Sequence, residues 1–178
     1  DPVEDIPPSA PSRPLVDSEI EKMEGPTIVR IRVPKGEMTA AQLRRVAELS
    51  EMYADQRIYT TNRQNLELHD VAPEKVQAAR EEVRKVGLFT DGVSGLRDIV
   101  PCVGTTYCPK AVSTTRELFD LLMPVVSQEK FANVDESVQI NITGCPNSCS
   151  PYRIVDIGFR GMRIREEQGS VEGYEMLI

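Results

Sequence analysis

SVQINITGCPNSC, residues Ser137–Cys149, is the stretch on which the fold reading turns. Its first half, Ser137–Thr143, alternates Val138, Ile140 and Ile142 with polar residues and reads as a β-strand. Its second half, Gly144–Cys149, cannot continue that strand. Gly144 lets backbone approach closely, Pro146 stiffens the loop, and Cys145 and Cys149 stand three residues apart within it. A strand that delivers two thiols into a short rigid loop is a way of holding metal. Upstream, with thirty-six residues between Cys108 and Cys145, stands a second pair, Cys102 and Cys108, framed by Gly104 and Pro109.

Four cysteines in two pairs match the ligand count of a [4Fe–4S] cluster, which needs four thiolates aimed at one centre. Three other readings stand beside it. Structural zinc uses close pairs, although five intervening residues is a long spacing. Two disulfides would use the same residues, against the cytosolic character of the chain. Four unrelated buried cysteines complete the set.

Outward from the cysteines, a helix is expected from about Pro109 to Leu122, with its positive end towards Cys108. Residues 89–110 are rich in glycine and turns, among them Asp91-Gly92 and Ser94-Gly95. After Cys149, a hairpin is expected from Arg153–Arg165 and Gly173–Ile178, with Glu166–Glu172 as its turn. Further upstream, Thr27–Val33 reads as a strand. A helix from Thr39 to Ala54 follows, with a capping box at Thr39–Gln42 and Leu43, Val46, Ala47 and Tyr53 on one face. A strand region Arg57–Leu68 leads to a second helix. That helix has Pro73 in its first turn, Val76, Ala79, Val83 and Val86 on one face, and Gly87 as its stop. Residues 27–88 thus read β-α-β-α, a ferredoxin-like unit in topology only, since it has no cysteine.

Composition narrows the function classes. The 178 residues are 40% apolar with a net charge of −7, enough to bury a core. Five of those negative charges fall within residues 1–24, and six of the thirteen prolines within 1–26, marking an acidic arm. The acidic balance argues against nucleic acid as a partner. No apolar run has the length of a membrane span. With no signal-peptide pattern, a cytoplasmic location is expected. Asp1 in place of an initiator methionine suggests processing, or a cut from something longer.

Three motifs then resemble those of one family. Cys102-Val-Gly-Thr-Thr-Tyr-Cys108-Pro-Lys-Ala111 and Thr143-Gly-Cys145-Pro-Asn-Ser-Cys149 resemble the paired signatures of the sirohaem-containing nitrite and sulfite reductases. Thr60-Thr61-Asn62-Arg63-Gln64-Asn65 resembles that family's T-x-R-Q motif, and Asp156–Gly161 the strand after its second cysteine pair. The expected fold is therefore α+β: a ferredoxin-like βαβα unit at 27–88, then an α/β sirohaem/[4Fe–4S]-binding unit at 89–178.

The resemblance implies a [4Fe–4S] cluster on Cys102, Cys108, Cys145 and Cys149, joined to sirohaem through Cys149 as a shared ligand. It implies Thr61, Arg63, Gln64 and Asn147 near the cofactor, with Thr61 and Gln64 facing its carboxylates. Arg63 is the expected anion-binding cation. Lys110 is a further candidate, and so is Arg57, placed on the same strand face as Tyr59, where the family often has arginine. The implied activity is six-electron reduction of sulfite to sulfide, with nitrite to ammonia as an alternative. Another alternative is a cluster-bearing electron-transfer domain without sirohaem. The implied partners are a small oxyanion, an external electron donor such as ferredoxin, and a second copy or second half-domain.

Overall fold

The computed structural model describes residues 25–91, 95–167 and 169–178. The acidic arm expected at 1–26 falls almost wholly outside the described residues, as do Gly92 and Ser94 of the expected turns. Two compact units emerge. Among the described residues, 25–32, 38–61 and 65–91 form the first; 33–37, 62–64 and 95 onwards form the second.

In the first unit, β1 (Thr27–Ile31) alternates buried and half-buried residues, the period-2 signature of a strand covered on one face. It pairs antiparallel with β3 (Leu66–Val71), which also pairs with the two-residue β2 (Tyr59–Thr60), giving the order β1-β3-β2. The register slips between Thr27 and Val29, where Asp70 of β3 takes φ 60°. That is a bulge, one extra residue absorbed by a left-handed turn of backbone.

Helix α1 (Ala40–Tyr53) starts at the predicted capping box. Gln42 N–H donates to Thr39 Oγ1 at 3.1 Å, and Thr39 N–H to Gln42 Oε1 at 2.8 Å. Its buried stripe is Val46, Leu49 and Ser50, rotated from the expected one, and Leu43 is exposed. Ser50 tolerates burial because its hydroxyl donates to the Arg57 carbonyl at 2.6 Å. Helix α2 (Val76–Lys85) follows a single 3-10 turn at Pro73–Lys75, buries Val76, Ala79 and Val83, and ends at Gly87 with φ 74°.

The strand expected over Arg57–Leu68 is divided into β2 and β3. Thr61 and Asn65 close the intervening turn: Thr61 N–H donates to the Asn65 carbonyl at 2.9 Å, and Asn65 N–H to Thr61 Oγ1 at 3.1 Å. Gln64 at the tip has φ 61°, which no strand residue can hold. Arg57 lies ahead of β2, exposed, with its side chain hydrogen-bonded to that of Tyr59. The Tyr59 ring stacks on His69, and its hydroxyl donates to Asp55.

The second unit is a four-stranded sheet in the order β4 (Val100–Pro101), β5 (Ile140–Thr143), β6 (Ile157–Glu166), β7 (Gly169–Leu177). The first three strands run parallel, and β7 returns antiparallel along β6. Ile99, Phe119, Ile140 and Ile142 form its buried core, with Leu118, Leu122 and Phe159 packed around them. The hairpin is longer and tighter than expected, because β6 and β7 pair as far as Glu166 and Gly169. The helix expected at Pro109–Leu122 is displaced. A four-residue turn, α3 (Gly104–Tyr107), lies between the first two cysteines, and α4 (Arg116–Val126) begins seven residues later than Pro109. The reason is chemical: Val112 and Ser113 give their N–H groups to the Gly144 carbonyl rather than to a helix. Cys108 therefore gains no helix N-terminus from this segment. No helix among the described residues is long and apolar enough to cross a membrane.

Candidate metal centre

All four cysteines lie in the second unit and are free thiols, so no disulfide joins them. Cys145 is buried, Cys102 and Cys108 are half-buried, and Cys149 is exposed. β4 runs directly into Cys102 and β5 into Cys145, and the two strands are parallel neighbours. That arrangement puts both cysteine loops at the same end of the sheet, where parallel strands deliver their C-terminal loops.

The loops clasp each other through backbone. Gly144 N–H donates to Cys102 Sγ at 3.2 Å, and Cys102 N–H donates to the Ile142 carbonyl at 2.9 Å. The Gly144 carbonyl accepts from Val112 at 2.8 Å and Ser113 at 3.2 Å. A Cβ on Gly144 would stand 3.2 Å from the Gly104 Cα, and one on Gly161 of β6 would stand 2.6 Å from the Gly144 carbonyl oxygen. Glycine is required here by close approach. Thr115, fully buried, donates its hydroxyl to the Cys102 carbonyl, and Ser113 donates its own to the Gly173 carbonyl of β7 at 2.9 Å.

This framework fits an iron–sulfur cube. The donor set is four thiols on two loops, and an N–H already points at one sulfur, the kind of contact that stabilises thiolate charge and tunes a cluster. It is the loops that the structure brings together. Among the described residues, no three Cys, His, Asp or Glu side chains are gathered at the spacing of a single ion.

The T-x-R-Q loop reaches this region, since Asn62–Gln64 belong to the second unit. Gln64 Nε2 donates to the carbonyl of Pro101, the residue before Cys102, at 2.9 Å, and Gln64 Oε1 is buried without a hydrogen-bond partner. The Arg63 guanidinium is held by acceptors of its own unit. Nε donates to Asp98 Oδ2 at 2.5 Å and Nη2 to the Asp98 carbonyl. Nη1 reaches Gln139 Oε1 at 3.1 Å and Asn141 Oδ1 at 3.3 Å. Lys110 and Asn147 are exposed on the first and second cysteine loops. Thr61 closes its own turn from the first unit, and Arg57 belongs to that unit too.

Sequence reasoning passed over Asp98, Asn141, Ser113 and Thr115. Their one signal is a polar residue set within or beside an apolar run, as in Ile140-Asn141-Ile142, where burial demands a partner.

Two family models cover the chain. Residues 20–86 match one described as the nitrite/sulfite reductase ferredoxin-like half domain. Residues 92–178 match the nitrite and sulphite reductase 4Fe-4S domain. The chain belongs to the nitrite/sulfite reductase family. Within this family it is 31% identical to the chloroplastic ferredoxin–nitrite reductase of Oryza sativa subsp. japonica, over 85% of this chain and 25% of that protein. It is 29% identical to sulfite reductase [ferredoxin] 1 of Mycolicibacterium paratuberculosis, over 97% of this chain and 32% of that protein. The chain thus spans about a quarter to a third of the length of these relatives. Among solved structures, the Mycobacterium tuberculosis NirA protein superposes with a TM-score of 0.74 at 28% identity, covering 84% of this chain and 28% of that one. Dissimilatory sulfite reductase I, at 18% identity and a TM-score of 0.65, shares the fold.

Proposed function

We propose that this family member is the cluster-bearing half unit of a sirohaem-dependent reductase that reduces a small oxyanion by six electrons. The observation that carries the reading is the clasp of the two cysteine loops through Gly104, Gly144 and the Gly144 N–H to Cys102 Sγ. Sulfite is taken first, because the mycobacterial sulfite reductase matches 97% of this chain, against 85% for the rice nitrite reductase. Nitrite stands beside it, since several of its relatives, the rice enzyme among them, carry nitrite reductase names.

In this proposal Cys102, Cys108, Cys145 and Cys149 would hold the [4Fe–4S] cluster, and exposed Cys149 would also hold the sirohaem. When bound, the coupled pair supplies electrons one at a time to the substrate, the hard chemistry that belongs to cofactors. The chain's residues do the rest. The Gly144 N–H stabilises charge on the Cys102 sulfur. Gln64, tied through its Nε2 to the Pro101 carbonyl, stands beside the first cysteine loop, and Asn147 lies between the cysteines of the second. Thr61 shapes the turn that presents Gln64. Lys110, exposed two residues after Cys108, is the cation offered to an anion. The external electron donor is ferredoxin, after which the relatives are named.

The test is anaerobic purification with iron, acid-labile sulfide and absorption spectra. Four irons per chain with a Soret band and a red band support the reading. Brown absorbance without a Soret band would favour an electron-transfer domain lacking sirohaem. A colourless chain with zinc and no iron would sink both. Sulfide against ammonia production, with a dithionite-reduced dye, separates the two anions.

A further inference from the structure

Resting on the cluster reading above, we infer that Asp98 is a positioning residue for the cluster, acting through Arg63, which ties both cysteine loops to one buried hub. Asp98 is 3% exposed and sits just ahead of β4. A buried carboxylate needs a cation, and Arg63 supplies it through Nε at 2.5 Å and through Nη2 on the Asp98 carbonyl. The two contacts fix the plane of the guanidinium, because its donors form a rigid fork.

From that fixed plane the network reaches each loop. Gln64, the residue after Arg63, donates to the Pro101 carbonyl at 2.9 Å, one residue before Cys102. Arg63 Nη1 donates to Asn141 Oδ1 at 3.3 Å, and Asn141 Nδ2 donates to the Pro151 carbonyl at 3.1 Å, two residues after Cys149. Ser150, beside Cys149, closes the circuit by donating to the Val100 carbonyl at 2.7 Å. One guanidinium thus sits behind both ends of the thiol set. Its own donors point into the fold, so its task is to set where the loops stand. The sulfur contact most exposed to any shift is Gly144 N–H to Cys102 Sγ, already 3.2 Å long. Hydrogen bonds to cluster sulfurs raise the reduction potential by stabilising the more negative reduced state. Loosening the hub should therefore lower it.

The experiment uses the anaerobically loaded chain and compares wild type with Asp98→Asn, Arg63→Lys and Gln64→Ala. Asp98→Asn keeps the shape and removes the charge; Arg63→Lys keeps the charge and removes the fork. Gln64→Ala cuts the link to Pro101 without touching the buried pair, so it reports even if the other two do not fold. Readouts are iron content, the EPR signal of the reduced cluster, and potentiometric titration. The expected result is wild-type iron content, altered g-values, and a reduction equilibrium at least threefold less favourable, about 28 mV at 59 mV per decade. Unchanged g-values and potential with only a lower melting temperature would make Asp98 structural and overturn the inference alone. So would an unchanged cluster in Arg63→Lys with weakened sulfite-induced spectral shifts, which would make Arg63 an anion ligand. A wild-type chain that takes up no iron would sink the cluster reading itself.

Discussion

Adding one methyl group at Gly144 would test the clasp between the cysteine loops directly. In Gly144→Ala the new Cβ would meet the Ser113 carbonyl oxygen at 2.8 Å, the Ala111 Cβ at 3.2 Å and the Gly104 Cα at 3.2 Å. Two of those atoms are backbone and the third is a bare methyl, so no rotamer change relieves the crowding. Overpacking of this kind costs about 1–3 kcal/mol. As Gly144 backs away in part, its hydrogen bonds to Cys102 Sγ, Val112 and Ser113 lengthen as well. Each one lost adds roughly 0.5–1.5 kcal/mol. The sum is on the order of 2–4 kcal/mol, and a chain of this size loses about 2–4 °C of melting temperature per kcal/mol. A drop on the order of 5–15 °C is expected in the metal-free chain, together with faster reaction of buried Cys145 with a thiol reagent.

Gly87→Ala is the control. It carries the strain of φ 74°, but its nearest neighbour is Gln42 Nε2 at 3.9 Å. Left-handed backbone alone costs roughly 1–2 kcal/mol. The clasp requires Gly144→Ala to be the more destabilising of the two, and to lower iron uptake while Gly87→Ala leaves it unchanged. Equal or smaller loss at Gly144 with normal iron would refute the reasoning.

Three further outcomes are expected. Thr39→Ala removes half of the capping box of α1 and should cost about 0.5–2 kcal/mol by thermal melting, with iron content unchanged, since it touches only the first unit. Burial first, then the charges of Glu172 and Glu117, push the Tyr174 hydroxyl up to about 12. The folded chain therefore holds that proton longer than the unfolded one, so the stabilisation is intact below pH 10 and fades as pH climbs towards 12. Tyr174→Phe should flatten the fall in stability over that window, read from denaturant midpoints, and an unaltered slope would contradict the assignment. Cys149→Ser should lose cluster and sirohaem together if that thiolate is shared; sirohaem retained in the variant would refute the bridging role.

Much of the fold was legible because its signals are local. The capping box at Thr39–Gln42, the Val76, Ala79 and Val83 stripe and the Gly87 stop each depend on residues within a few turns of one another, and each stands in the structure. The failures share a cause as well. α4 starts at Arg116, not Pro109, because the N–H groups of Val112 and Ser113 are claimed by Gly144, more than thirty residues away. The strand through Arg57–Leu68 is cut because Thr61 and Asn65 close a turn and Gln64 takes left-handed backbone, while Arg57 follows left-handed Gln56 and stands ahead of the sheet.

The sequence by itself displayed four cysteines in two close pairs and the order of the two units, and its motifs resembled the family's, because close pairs and motifs are written in one dimension. Only the tertiary structure showed what Arg63 contacts. A guanidinium's role depends on which acceptors surround it, and here Asp98, Gln139 and Asn141 arrive from segments 35 to 78 residues distant in the chain. The same holds for the quoted strand and loop. Its cysteines were visible at once, while the need for Gly144 became plain only when Gly104 and Gly161 were found pressed against it.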